Sequence, residues 1–519
     1  MQRVLDECDK VSADFSADPV HDLRVSLRRC RSMADGLMAM DPDPNWKAMK
    51  KAGKQLFQRL GALRDIQIMM EWIEKLDVGV ERILLSALPA GAESTPAAET
   101  PASHQDPVAH ALLHILRARE TEQKQEARAA LEEFDRKQWR QWSKSLPQRA
   151  SHIRPGSAVF KHLALERWTT ARELHVTAMR NRSQIAFHTL RIGIKRFRYI
   201  VENFLPAEHR AWSDDLKHLQ DLLGEVHDLD VLWATALACH VFPDEASRKT
   251  WQTRIAEERT KRIEEYRSKT VGESSLWNVW RAGLPQGKQI QEIATRRMKL
   301  WAKTLDPDFT HSERVARLSV ELYDGLVATG LLRTGSSSAL PEQNGAEARA
   351  SLYAAALLHD VGKANGNKGH HKESAALIKK HGTPLGWNPE TMARAAIVAR
   401  FHAGALPVRS HKALRDLLPD EQKAIIRLSA ILRLANAFDA VHDGHIRKIK
   451  IVGSAAPPKN FKRRANGFLR KPPALGKNEA LVIAAEGYAE GSPTAQAIAA
   501  ERYLLETVLR RPVIVRAMS

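Results

Sequence analysis

Cysteine is scarce in this chain of 519 residues: Cys8, Cys30 and Cys239, an odd number, far apart and without zinc-type pairing. That argues against a disulfide framework and for a reducing compartment, with the thiols in the core. No apolar run approaches the ~20 residues needed to span a bilayer. The opening stretch, MQRVLDECDK, has no apolar core of a secretory signal. A cytoplasmic protein with no membrane partner is the expectation. Acidic residues are also in deficit, 61 against 80 Lys and Arg, which leaves a formal net charge of +19. Such a surplus draws polyanions: nucleic acid, anionic membrane or phosphate polymers. The length is enough for two to four domains with real hydrophobic cores.

Three patterns recur in the same order in the first half. His21, Arg24, Arg28 and Arg31 are matched by His188, Arg191, Lys195 and Arg198. The shared spacing i, i+3, i+7, i+10 lays four cationic or protonatable groups along one helix stripe. One residue earlier runs an apolar stripe: Val20, Leu23, Leu27, Cys30 in one copy, Phe187, Leu190, Ile194, Phe197 in the other. One stripe packs, and its neighbour points to solvent or to a ligand. Next, Lys54, Leu56, Leu60, Gly61 and Asp65 are matched by Lys217, Leu219, Leu223, Gly224 and Asp228. Last, Trp139, Trp142, Leu146 and Pro147 are matched by Trp277, Trp280, Leu284 and Pro285. The separation between copies shortens at the third pattern. One insert in the first copy explains this, and Pro89 to Pro107, rich in Pro, Ala, Ser and Thr, reads as a flexible loop. Like charges at these spacings cost a helix roughly 0.2–0.5 kcal/mol per pair. Two copies of that arrangement are best explained by an anion that neutralises them, and Arg forks and Lys point charges suit phosphate oxygens. The tryptophans read as core or capping contacts, Gly61 and Gly224 as points of close approach or a helix end, and Asp65 and Asp228 as salt-bridge partners of the stripe.

Residue by residue, HDLRVSLRRCR from His21, HTLRIGIKRFRY from His188, LGALRDI from Leu60 and LGEVHDL from Leu223 resemble the CHAD family, the conserved-histidine α-helical domain. The resemblance covers residues 1–285, with repeat halves at about 1–147 and 155–285 and the insert at 88–108. It implies two pseudo-symmetric helical bundles around a basic central channel that binds inorganic polyphosphate. The residues that carry over are His21, Arg24, Arg28, Arg31, Lys54, His188, Arg191, Lys195, Arg198 and Lys217.

The second half carries a different pattern. A linker helix is expected over 286–305, then an amphipathic helix from Phe309 bearing His311. SLYAAALLHDVGKANGNKGHHK, from Ser351 to Lys372, begins as an apolar helix, presents His359 and Asp360, and stops at Gly362. His-Asp also occurs at His21-Asp22, His227-Asp228 and His442-Asp443. Distant support separates His359-Asp360 from these: His311, His359-Asp360 and Asp439 follow the order H…HD…D on or at the ends of helices, with His371 and His402 between.

This order resembles the HD superfamily of metal-dependent phosphohydrolases. HDVGK, GHHKESAALI, ARFHAGALP and LRLANAFD are similar to the helical C-terminal domain of the exopolyphosphatase and guanosine-pentaphosphate phosphohydrolase family. The HD domain is placed at 306–445. A small α/β segment follows at 446–519, with strands at 447–452, 480–485 and 512–516 and a helix at 494–509. The fold class expected is mainly α: two pseudo-repeated helical bundles, an all-helical HD domain and that segment. The resemblance implies metal-assisted hydrolysis of a phosphoester or phosphoanhydride in a small phosphate-containing substrate. His311, His359, Asp360 and Asp439 would hold one divalent ion, and Asp360 would bridge to a second held by His371 and His402, with His370 an alternative to His371. Asp360 and Lys363 are the catalytic candidates, Lys363 for charge on phosphoryl oxygens. The donor set suits Mn, Fe, Mg or Zn. That phosphatase family does its chemistry in an actin-like domain with Gly-rich phosphate loops, which this chain lacks, and Asn436 stands where a carboxylate is common. Two other readings stay open: a polyphosphate-binding protein with a structural HD domain, and, disfavoured, nucleic-acid binding through the stripes and the loop Lys459 to Lys471.

Overall fold

The structure is a computed structural model that describes residues 1–86, 106–332, 341–455 and 480–518. The insert at 88–105 and the loop 459–471 lie outside the described residues. Two compact units divide the chain, Met1–Ile293 and Ala294–Ser519.

The first unit is helical throughout: α1 (Gln2–Ala13), α2 (Ala17–Leu37), α3 (Pro44–Arg59), α4 (Gly61–Ser86), α5 (Pro107–Glu132), α6 (Arg136–Ala150), α7 (Ala158–Asn181), α8 (Gln184–Phe204), α9 (Pro206–Ala238), α10 (Glu245–Thr270) and α11 (Leu276–Ala282). Side-chain caps mark several starts. Asp43 accepts from the Asn45 amide ahead of α3, with Pro44 at the first position, and Ser183 accepts from the Ala186 amide ahead of α8. The apolar stripes pack as their period demands: Val20, Leu23, Leu27 and Cys30 on α2 are buried, as are Phe187, Leu190, Ile194 and Phe197 on α8. The repeat tryptophans Trp139, Trp142, Trp277 and Trp280 are buried too.

The two halves share contacts and a core. α2 packs on α8, where Arg29 pairs with Glu202 at 2.6 Å and Asn203 donates to Ser32 at 3.1 Å. Ile66, Met69, Trp72 and Ile73 of α4 join Leu229, Leu232 and Ala236 of α9 and Trp251 of α10 in one apolar cluster.

The second unit holds α12 (Lys288–Leu305), whose first turns precede it, then α13 (Phe309–Ala328), α14 (Pro341–Leu358), a 3-10 turn (Val361–Asn365), α15 (His370–His381), α16 (Pro389–Arg400) and α17 (Pro419–Phe438). Ala294, Met298, Trp301 and Ala302 of α12 lie in this unit's core, so the expected linker helix is its first structural element. The unit ends in a three-stranded sheet of order β1 (Lys448–Ala455), β2 (Ala480–Glu486), β3 (Val513–Ala517), with α18 (Pro493–Leu509) between the last two strands. β1 and β2 pair antiparallel with an irregularity between Ile451 and Gly453, and β2 and β3 pair parallel, Leu481 opposite Val513. β2 is central and is buried from Ala480 to Ala485, which suits its unbroken apolar sequence. The fold is mainly α with a small α/β end, as its patterns foretold. No helix of the described residues is long and apolar enough to cross a membrane.

Candidate functional site

In the first unit the two basic stripes meet. Arg24 of α2 lies over the Phe57 ring, 4.2 Å from its centroid, and donates to the Phe57 carbonyl at 3.0 Å. Arg31 lies over the other reach of the same ring at 5.1 Å. Across the pseudo-repeat, Arg28 acts on Arg191 and Lys195, and Arg191 acts on Arg24. Burial is the main reason that Lys195 falls to about 7 and Arg24 to about 10, and these neighbouring cations push in the same direction. The Nε atoms of Arg28, Arg31, Arg64 and Arg191 are buried without a hydrogen-bond partner. A buried, unmatched donor on a charged group is costly, and four in one cluster mark a place built for acceptor oxygens.

Gly61 and Gly224 each face the first arginine of their stripe, at different distances. A Cβ at Gly61 would stand 3.3 Å from Arg24 Nη1, and one at Gly224 would stand 4.0 Å from Arg191 Nε. Gly61 leaves room for Arg24 to lie close against its helix, whereas at Gly224 a side chain would meet Arg191 only at ordinary contact distance. Asp65 and Asp228 differ from expectation. Among the described residues neither closes an ion pair within 4 Å with the stripe, although both act on Arg191 and Lys195 at longer range. Burial drives Asp228 up to about 6, and the cations only partly offset it.

The other stripe members are placed less centrally. His21 is exposed, with Arg64 and Arg28 acting on it. Arg198 stands 3.9 Å from Glu202. Lys54 and Lys217 are exposed, and Lys217 acts on Asp221. Arg64 was missed from sequence; its only signal is its alignment with His227 one residue before the matched aspartates.

In the second unit five helix ends converge. Asp308 caps α13 by accepting from the His311 amide at 3.2 Å, which fixes His311 on the first turn. His359 and Asp360 follow the last residue of the buried run Leu352–Leu358. His370 opens α15, His402 follows α16, and Asp439 ends α17. Gly362 makes the convergence sterically possible. A Cβ there would sit 2.2 Å from the His370 carbonyl and 2.6 Å from the Ser374 amide, and its own amide donates to Ser374 Oγ at 2.9 Å.

The ring orientations carry the chemistry. His359, His370 and His402 each bond through Nδ1 to a backbone carbonyl, of Ala356, Asn367 and Ala399, at 2.6, 2.8 and 2.8 Å. A carbonyl only accepts, so each Nδ1 carries a proton and each Nε2 is turned inward, a lone pair once its ring is neutral. Burial opposes a charge on the His359 ring, but Asp360 beside it outweighs this and raises the ring above its ordinary value. Those atoms surround Asp360. His359 Nε2 is 3.3 Å from Oδ2, and His370 and His402 Nε2 are 3.4 and 3.5 Å from Oδ1. His370 and His402 Nε2 face each other at 3.0 Å. Burial lowers His402 to about 4, which keeps its lone pair free of a proton. Burial opposes the charge on Asp360, but His359 and His402 outweigh it and hold the carboxyl far below the usual range. His359 Nε2 and Asp360 Oδ1 are buried without a hydrogen-bond partner. Inward Nε2 atoms with Nδ1–H tied to outer carbonyls, around an ionised carboxylate, fit a divalent cation.

Ligand atoms gather in two groups among the described residues: His311 with His359 and Asp360, and Asp360 with His370 and His402. His371 joins neither group; its Nε2 lies against the Gly404 backbone, and the alternative, His370, takes the inward place. Asp439 also stands outside. Its Oδ2 accepts from His311 Nδ1 at 2.7 Å and Arg314 Nε at 2.9 Å, and its Oδ1 from the Gly444 amide at 3.1 Å. It orients His311 rather than adding a ligand atom to the groups. Asn436 Oδ1 lies 2.9 Å from His311 Nε2. Lys363 Nζ stands 2.5 Å from Asp360 Oδ2. His442, set aside in the sequence as one of the other His-Asp dipeptides, stacks on His311 at 3.7 Å and bonds Asp308 at 2.7 Å.

Comparison with known proteins agrees with this division. Residues 1–237 match the CHAD domain, and residues 293–463 match domain III of the Ppx/GppA phosphatases. No curated protein matches the chain significantly. The chain carries a CHAD domain joined to a Ppx/GppA phosphatase domain III, a pairing that suggests a polyphosphate-related function.

Proposed function

We propose that the first unit binds inorganic polyphosphate and that the second is a metal-dependent phosphohydrolase acting on a phosphoester or phosphoanhydride. The observation that supports binding is the set of four buried, unpartnered guanidinium Nε atoms on Arg28, Arg31, Arg64 and Arg191. A chain of phosphates offers acceptor oxygens at every unit, and its charge relieves the crowding of Arg24, Arg28, Arg191 and Lys195. Replacing Arg191 and Lys195 together by Glu is expected to abolish retention on immobilised polyphosphate while the helical circular dichroism persists. Unchanged retention would refute the assignment. Competition at fixed salt against single-stranded DNA and RNA decides between polyphosphate and nucleic acid.

For hydrolysis, the support is the three imidazoles turned Nε2-first onto Asp360. His311, His359, Asp360, His370 and His402 would hold one or two divalent ions, of Mn, Fe, Mg or Zn. Such ions supply Lewis acidity and an activated water. The chain's own residues do the rest. Asp439 and Arg314 fix the His311 ring, the backbone carbonyls fix the other rings, and Lys363 neutralises the outer oxygen of Asp360 until a phosphoryl group competes for its ammonium. Elemental analysis of the purified protein beside a panel of phosphate esters, nucleotides and polyphosphate tests this. One observation favours a second reading, a structural HD-type domain: Asn436 rather than a carboxylate meets His311 Nε2, and Asp439 is already taken by Arg314. Protein without metal and inert on the whole panel would establish that reading.

A further inference from the structure

His227 has no role in anything described so far. It stands on α9 immediately before Asp228, where the first repeat has Arg64 before Asp65. Its ring faces His188 of α8, with centroids 4.7 Å apart and Nδ1 atoms 3.3 Å apart. One nitrogen of such a pair donates and the other accepts, so the neutral pair shares a single proton.

The charges around it are mostly positive. From α8, Arg191 and Lys195 act on both imidazoles. On its own helix, the acids flanking it are paired with cations of α10: Glu225 with Arg262 at 2.8 Å, and Asp230 with Arg259 at 3.0 Å. Asp228 is next in sequence, and Asp65 of α4 acts on it. Burial first, and these cations second, push His188 down and His227 down to about 4. A metal cation is a poor occupant between Arg191 and Lys195; an anion is a good one. In the first repeat the matching place holds Arg64, a fixed positive charge whose Nε is buried and unpartnered.

We propose that His227, paired with His188, is a phosphate contact of the second repeat that takes up a proton when a phosphate chain binds, so that one end of the basic cluster is proton-coupled and the Arg64 end is not. A phosphate oxygen set against the pair breaks the Nδ1···Nδ1 bond: the ring that donated keeps its proton, and one proton taken up from solution turns the accepting ring into a second donor. The bound anion then offsets the charges of Arg191 and Lys195 together with that of the one imidazolium that the added proton creates. The inference rests on the reading of the first unit as a polyphosphate binder.

The test is calorimetry of the full-length protein with long-chain polyphosphate between about pH 5 and 7, above the depressed value of the free His227 ring and within the range in which an imidazole set against a phosphate holds its proton. Each pH is run in two buffers of different ionisation enthalpy, so that proton uptake is read directly. The wild type is expected to take up protons on binding and to lose affinity with rising pH, by up to about tenfold per unit for each proton taken up. H227R, which installs the residue of the first repeat, is expected to lose at least half of that uptake and to bind more tightly than wild type near pH 7. H227Q, which removes the charge without adding one, is expected to lose the same uptake and to bind more weakly near pH 5. Binding by the wild type without proton uptake, or uptake by both variants equal to wild type, overturns the inference alone. Absence of any binding by the wild type overturns the polyphosphate reading, and this inference with it.

Discussion

Asp360 is the carboxylate common to both candidate ligand groups. Asp360→Ala should therefore strip bound divalent metal to background while the helical signal persists, read by elemental analysis beside circular dichroism; retained metal would move the site elsewhere. Lys195 makes a different prediction, about protons. Its ammonium falls to about 7 through burial and through Arg191 and Arg28, whereas the unfolded chain holds the ordinary value near 10.4. Between those values the unfolded state binds more protons, so this residue's contribution to stability rises with pH. Lys195→Met should accordingly melt higher than wild type at pH 7, with the difference shrinking toward pH 10. A bound polyanion favours the charged form, so polyphosphate affinity in the wild type should fall over the same window, and in Lys195→Met it should not. Parallel pH series of melting and binding check both signs. These residue-level effects were only half legible beforehand. The stripe spacing named Lys195, but its depressed ammonium comes first from burial, then from Arg191 and from Arg28 of the other repeat, and neither burial nor Arg28 is supplied by a local pattern.

At the scale of elements, the second unit depends on how the 3-10 turn after α14 meets the first turn of α15. Gly362 is the hinge of that contact, and any Cβ must displace the His370 carbonyl. Gly362→Ala is expected to cost about 1–3 kcal/mol, the usual range for overpacking, and to lower metal retention because His370 moves with the backbone. Chemical denaturation and metal titration measure the two effects. A variant as stable as wild type with full metal retention would show that the turn and α15 yield freely. The sequence marked Gly362 as the end of a helix; α14 ends at Leu358, and Gly362 lies inside the 3-10 turn that follows. It did not disclose that the glycine is needed for a neighbour eight residues on. The choice between His370 and His371 has the same origin. Adjacent residues on a helix point about 100° apart, so only the docking angle of α15 decides which imidazole turns inward.

At the scale of the whole molecule, the chain divides into two compact units at Ile293 and Ala294, with the break inside α12. A fragment ending at Gly287 keeps every stripe residue and leaves α12 whole in the remainder. It is expected to bind polyphosphate as tightly as the full chain does, and the fragment from Lys288 onward is expected to hold the metal. Binding assays and elemental analysis on the two fragments check this, and loss of either property on separation would mean that the units depend on each other.

What the sequence determined by itself was periodic or compositional: the doubled helical unit, the basic stripes beside apolar ones, the H…HD…D order and the closing α/β segment. Each follows from the repeat of a helix or strand, which is local. What only the tertiary structure decided was convergence. Arg28 and Lys195, far apart in sequence, crowd one another because α2 packs on α8. Asp439 stands outside both candidate ligand groups, with Arg314 and His311, a turn apart on α13, both reaching its Oδ2. Burial raises the cost of every unmatched charge, and which charges meet in the interior is set by packing rather than by spacing along the chain.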